Sequence, residues 1–225
     1  MASHTVQAFI FDLDGVVTDT AEYHYLSWQQ LADEEGIPMD RALGDELRGV
    51  SRRDSLMRII GDRPYTEEQI LEMMDRKNRY YVEMLDRITA GDMLPGMESL
   101  LHEINDAGLK IGLGSASKNA RPVLDRLGIT DMFDVIGDGY SVEEHKPDPA
   151  LFLFAAEQLG VAPANAVVVE DAEAGVEAAV AGGFLSIGIG PADRVGQATI
   201  VLDSFEGLTL ADVLERLDAT AEPPA

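Results

Sequence analysis

Residues 6–15 read VQAFIFDLDG, a short apolar run followed by Asp12-Leu13-Asp14-Gly15. A run of this kind suits a strand buried on both faces of a parallel sheet. Strand alternation sends Asp12 and Leu13 to opposite sides. Gly15 permits a sharp turn that lets Asp14 face the same cleft as Asp12. Two carboxylates so close can hold a divalent cation, or divide into a nucleophile and an acid/base. They can also do no more than close a turn through an Asx hydrogen bond.

The pattern recurs downstream. Leu109 to Leu113 (LKIGL) leads into Gly114-Ser115, and Ala166 to Val169 (AVVV) into Glu170-Asp171. Weaker strand candidates are Phe133 to Ile136, Phe184 to Ile189 and Thr199 to Leu202. Helical periods separate them. Met97 to Ala107 sets Met97, Leu100, Leu101 and Ile104 on one stripe, and Ala120 to Leu127, Pro149 to Leu159 and Ala174 to Ala181 behave alike. Gly108, Gly128 and Gly160 stand where helices should stop. The alternation predicts an α/β fold, a doubly wound, Rossmann-like parallel sheet. Ligands of such sheets bind beyond the carboxyl ends of the strands, so the polar residues after three strands are candidates for one site.

Residues 19–92 break the alternation. Thr20 to Glu35, Asp54 to Ile60 and Thr66 to Leu85 all read as helix, and Thr66-Glu67-Glu68-Gln69 has the form of a capping box. The segment is too long for a loop. It is expected to be a small α-helical cap domain inserted into an α/β core formed by residues 1–18 and 93–225.

Composition narrows the function. The 225 residues include 41 acids and 17 bases, for a formal charge of −24. Such a surface repels nucleic acid and anionic membrane. A phosphorylated substrate would need a local island of cations or a metal. Cysteine is absent, which excludes disulfides and a thiol nucleophile. No apolar stretch approaches the roughly 20 residues of a membrane helix. Met1 to Gln7 leads straight into the first strand without a signal-peptide pattern. A cytoplasmic protein is expected, with residues 222–225 frayed.

Three more groups carry chemistry. Glu170-Asp171 can complete an oxygen-ligand site of the kind Mg²⁺ prefers, although Asp171 also suits a helix N-cap. Ser115-Ala116-Ser117-Lys118-Asn119 opens a helix, where free N–H groups make an anion cradle and either serine can equally serve as a plain cap. Lys146, held towards extended geometry by Pro147, can neutralise phosphate and carboxylates together; taken alone it reads as a surface lysine.

Taken together, these four motifs (Asp12 to Gly15, Ser115, Lys146 and Glu170-Asp171) resemble the haloacid dehalogenase superfamily. The resemblance implies attack by Asp12 on phosphorus, giving an aspartyl-phosphate. It implies Mg²⁺ held by Asp12, the Asp14 backbone carbonyl and Asp171, with Glu170 beside or on the metal. Asp14 would be the general acid/base, and Ser115 and Lys146 would complete the catalytic set.

Longer matches make the chain similar to the β-phosphoglucomutase family from about Ala8 to Leu217. They are Phe11 to Tyr23 with His24, Gly49-Val50-Ser51-Arg52, Asp54-Ser55-Leu56, Lys77-Asn78, Ser115 to Asn119 and Glu170-Asp171. That family interconverts β-glucose 1-phosphate and glucose 6-phosphate through β-glucose 1,6-bisphosphate. The resemblance assigns a proximal phosphate site to Ser115, Ala116 and Lys146, and a distal one to Arg52, Ser117, Lys118 and Asn119. It places Trp28, Gly49, Val50, Ser51, Ser55, Lys77 and Tyr81 along the sugar pocket, although Trp28 on its own reads as core. Thr18 to His24 would form the hinge, with Thr20 and His24 adjusting Asp14 on closure. A monomer with a small sugar phosphate as its only partner is implied.

Two residues depart from the pattern: Arg48 stands where a relative has Lys, and Arg53 where an acidic residue is familiar. The loop Gly139 to Glu144 does not map. The same core could instead serve a sugar-phosphate phosphatase. A non-catalytic phosphate or Mg²⁺ module resembling a receiver domain is the third reading, against which the helical insert and Asp14 both argue.

Overall fold

The computed structural model describes residues 5–220. Residues 222–225, expected to fray, lie outside the described residues. Six parallel strands form one sheet: β1 (Ala8–Phe11), β2 (Lys110–Gly114), β3 (Val135–Gly137), β4 (Ala166–Glu170), β5 (Leu185–Ile189) and β6 (Ile200–Leu202). Their order is β3-β2-β1-β4-β5-β6. β1 is therefore central, and the order reverses between β1 and β4. In register, Phe11 aligns with Leu113 on one side and Val169 on the other. The three strands end level, and their following loops meet.

Helices cover both faces. α5 (Met97–Asp106), α6 (Ala120–Leu127) and α10 (Leu210–Thr220) share a core cluster with Phe9, Phe11, Ile111, Leu113, Val167 and Val169. α7 (Ala150–Leu159) and α8 (Glu173–Ala181) pack on the opposite face against Ala8, Ile10, Ala166 and Val168. Alternate residues of β1 and β4 thus enter different cores, which is why those strands read as continuous apolar runs. Gly114 is a packing glycine: a Cβ there would lie 2.7 Å from the Phe152 ring. α9 (Ala192–Val195) is a single turn after β5.

Between β1 and α5 lie α1 (Ala21–Glu34), α2 (Arg41–Glu46), α3 (Arg52–Ile60) and α4 (Glu67–Leu85). Trp28, Leu31, Leu56, Ile59, Ile60, Ile70 and Met73 gather in a cluster of their own. α4 starts at a capping box between Thr66 and Gln69. The chain leaves and returns through two adjacent segments. The Leu94 N–H donates to the Val17 carbonyl at 2.9 Å, and the Thr18 hydroxyl to the Asp92 carbonyl at 2.7 Å. Among the described residues no helix is long and apolar enough to cross a membrane.

Candidate active site

The site begins where β1 ends. The Asp12 N–H donates to the Val169 carbonyl at 2.9 Å, which carries the sheet pairing one residue past the strand. Asp12 Oδ2 accepts the Asp14 N–H at 2.8 Å, closing the Asx turn. Gly15 sits at φ +84°, and a Cβ on it would lie 2.3 Å from Asp171 Oδ2. Only glycine gives that turn and also admits the Asp171 carboxylate. The turn and the chemical grouping are therefore the same structure rather than alternatives.

Lys146 is buried, not on the surface. Its Nζ lies 2.6 Å from Asp12 Oδ1 and 2.6 Å from Glu170 Oε1. Burial disfavours the ammonium, but Asp12 and Glu170 outweigh it and hold Lys146 above its ordinary pKa. Glu170 Oε2 accepts the N–H groups of Asp171 and Ala172 at 2.9 and 3.0 Å. Asp171 is not an N-cap: α8 starts after Ala172 with no side-chain cap. Its Oδ2 meets Arg48 Nη1 at 3.1 Å, and Arg194 Nη2 stands 4.0 Å away.

The acids repel one another. Burial, then Asp12 and Asp171, raise Asp14 to about 8. Burial, with Asp12 and Asp171 adding to it against Lys146, raises Glu170 to about 7. Burial and Asp12 raise Asp171 to about 6, against the pull of Arg48 and Arg194. Carboxylate oxygens of Asp12, Glu170 and Asp171 lie within 4.8 Å of one another. An all-oxygen donor set with excess negative charge fits a hard divalent cation.

Asp14 is contacted from the helical insert. The Thr20 hydroxyl donates to Asp14 Oδ1, and makes no helix cap. His24 Nε2 stands 3.6 Å from the same oxygen. Lys77 Nζ lies 2.8 Å from His24 Nδ1. Burial, then Lys77 and Arg52, push His24 well below its ordinary pKa, so the ring is neutral. Tyr81 stacks on His24 with centroids 4.1 Å apart.

A cavity of about 470 Å³ joins the two halves. Asp12, Asp14, His24, Trp28, Gly49, Val50, Ser51, Arg52, Ser55, Lys77, Ala116, Ser117 and Lys118 all line it. Thr20, Tyr81 and Asn119 are not among the lining residues; Thr20 bonds to Asp14, Tyr81 stacks on His24 and Asn119 bonds to Asn78. Ser115 is buried, its Oγ accepting the Ser117 N–H at 3.1 Å. Trp28 belongs both to the helical core and to the lining. Six of the chain's 17 Lys and Arg line this one cavity. Among the described residues Arg52, Lys77 and Lys118 make no ion pair, whereas Arg41 holds Glu22, Arg48 holds Asp45 and Asp171, and Arg53 holds Glu67. The positive island that the acidic composition required is here. Sequence reading missed the apolar wall of Leu71 and Met74, the bridge through Asn78, and the arginines on Asp171. Only the i, i+3 spacing of Leu71 and Met74 on α4 offered a signal.

The model of the haloacid dehalogenase-like hydrolase family matches residues 6–183. A β-phosphoglucomutase from Bacillus subtilis is 42% identical over 209 residues, spanning 91% of this chain and 92% of that protein. The chain belongs to the haloacid dehalogenase-like superfamily and, within it, to the β-phosphoglucomutase family. A crystal structure of β-phosphoglucomutase from Clostridium difficile superposes on this family member with a TM-score of 0.92 at 44% identity, covering 96% of this chain and 99% of that one. A phosphorylated carbohydrates phosphatase of Thermotoga maritima is also similar, at 31% identity over 80% of this chain and 82% of its own length. The superfamily core is thus shared with hydrolases, and the residues that separate the two reactions must lie around it.

Proposed function

We propose that this chain is a β-phosphoglucomutase, interconverting β-D-glucose 1-phosphate and glucose 6-phosphate through β-glucose 1,6-bisphosphate. The observation that carries this reading is one cavity with Asp12 on one wall and, on the others, three basic residues that make no ion pair among the described residues, Arg52, Lys77 and Lys118. Such a cavity suits a sugar with phosphoryl groups at both ends. A hydrolase handling one phosphate has less use for the second set.

The Asp12 carboxylate attacks phosphorus and forms an aspartyl-phosphate, while the sugar–oxygen bond to phosphorus breaks. Asp14, raised to about 8, is protonated at neutral pH and gives its proton to the leaving oxygen. It then takes the proton from the sugar hydroxyl that receives the phosphoryl group. Thr20 and the neutral His24 orient Asp14 from the insert. Lys146 steadies Asp12 and offsets charge on the transferring group. Arg52, with Ser117, Lys118 and Asn119, grips the other phosphate, and arginine suits that task because its fork meets two oxygens. Asp12, Asp171 and the Asp14 carbonyl, with Glu170 beside them, would hold Mg²⁺. When bound, the ion neutralises the repulsion between nucleophile and phosphoryl oxygens. Residues 19–92 act as the cap, the remainder as the core, and closure keeps water from the aspartyl-phosphate.

Arg52→Ala tests the assignment. Isomerisation of β-glucose 1-phosphate is expected to fall at least a hundredfold, with the α anomer unused by either protein. Isomerisation at the wild-type rate would contradict it.

A further inference from the structure

Asn78, on α4 beside Lys77, has no role in the chemistry above. Its Oδ1 accepts two hydrogen bonds, from Arg52 Nη2 at 2.8 Å and from Asn119 Nδ2 at 2.9 Å. The orientation follows from chemistry: a guanidinium has only donors, so the Asn78 atom facing it is the oxygen. The same oxygen then requires a donor from Asn119, which presents its amide nitrogen. Arg52 opens α3 and Asn119 precedes α6 beyond β2. The bridge therefore joins two helices of the insert to a loop of the sheet domain. It does so at the two residues assigned to the second phosphate.

The choice of a neutral acceptor is informative. The guanidinium offers only donors and Asn119 presents its amide nitrogen, so the atom between them must be an acceptor. A carboxylate would serve, but it would cancel the guanidinium charge and repel a phosphate. A carboxamide oxygen fixes the direction of the guanidinium and leaves its charge whole. Arg52 has no ion pair among the described residues, in agreement with a cation kept for a ligand.

We propose that Asn78 is a positioning residue for the non-reacting phosphate: it aligns Arg52 with Asn119 across the cleft while preserving the charge that the phosphate binds. The inference rests on the mutase reading. The test compares Asn78→Ala, Asn78→Asp and Arg52→Ala in two reactions. One is isomerisation of β-glucose 1-phosphate, whose bisphosphate intermediate needs both sites. The other is hydrolysis of p-nitrophenyl phosphate, which has no second phosphate.

For Asn78→Ala, a loss of kcat/KM in isomerisation about tenfold greater than in hydrolysis is expected, in line with a hydrogen bond to a charged group. Asn78→Asp is isosteric, so a purely structural role would make it the milder change. The proposal predicts the larger loss, through a raised KM. Equal losses in both reactions, or a milder Asn78→Asp, would overturn it. So would intact isomerisation in both Asn78 variants while Arg52→Ala is impaired. Intact isomerisation in Arg52→Ala would instead remove the distal-site reading itself, and the proposal with it.

Discussion

Asp12 carries the proposed chemistry, and its surroundings make its removal testable without loss of the fold. In Asp12→Asn, Lys146 keeps Glu170 as a partner at 2.6 Å. Turnover is expected to fall at least a thousandfold, on the order of 4 kcal/mol in the barrier, with an unchanged circular dichroism spectrum. Retained turnover would exclude the nucleophile assignment. Lys146→Ala is the harsher change. It leaves Asp12 and Glu170 buried without their shared counter-charge, a loss of about 3–5 kcal/mol by analogy with other broken buried pairs, readable as a lower urea midpoint. Asp12, Asp14 and Glu170-Asp171 were legible in the sequence because each lies at the end of an apolar strand or within three residues of it. The Arg48–Asp171 pair and the Asn78 bridge were not. Their partners lie 123, 26 and 41 residues apart, and no local pattern specifies a contact across such distances.

At the scale of elements, the strands show why periodicity succeeds and where it stops. The sequence pattern starts β1 at Val6, two residues before Ala8, because Val6 is strand-like in type and Gln7 does not interrupt the run. In the structure the Gln7 N–H pairs instead with Asn165, outside the strand ladder. α2 escaped notice because its six residues include Gly44 and bury none of their number. α10 carries a stripe of Leu210, Val213 and Leu217 at helical spacing, all buried. The sheet makes its own prediction through Gly114. Gly114→Val would push a side chain into the Phe152 ring and should cost about 1–3 kcal/mol by overpacking. Chemical denaturation reads that loss directly. A variant as stable as the parent would mean that α7 has room to move away.

The whole molecule sets a strongly acidic exterior against a cavity that gathers six of its bases. It also concentrates carboxyls whose pKa values rise on folding: Asp14 to about 8, Glu170 to about 7 and Asp171 to about 6. Between pH 4 and 8 the folded protein binds more protons than the unfolded chain at these groups. Their contribution to stability is therefore full at low pH and is lost as pH rises through those values. In metal-free protein this part of the melting profile should decline over that range. Saturating Mg²⁺ should oppose the decline, adding about 2.7 kcal/mol at a hundred times Kd. A Mg²⁺ effect that is equal at pH 5 and pH 8, in thermal melts at matched ionic strength, would contradict the acid pocket as the metal site.

The most direct test of the central claim follows phosphorus itself. Purified protein is mixed with β-glucose 1-phosphate, Mg²⁺ and a trace of β-glucose 1,6-bisphosphate, and the ³¹P NMR signals are recorded with time. A glucose 6-phosphate signal that grows as the substrate signal falls, with inorganic phosphate far behind, is the predicted result. Inorganic phosphate rising in step with substrate loss, without glucose 6-phosphate, would make the protein a phosphatase and contradict the account.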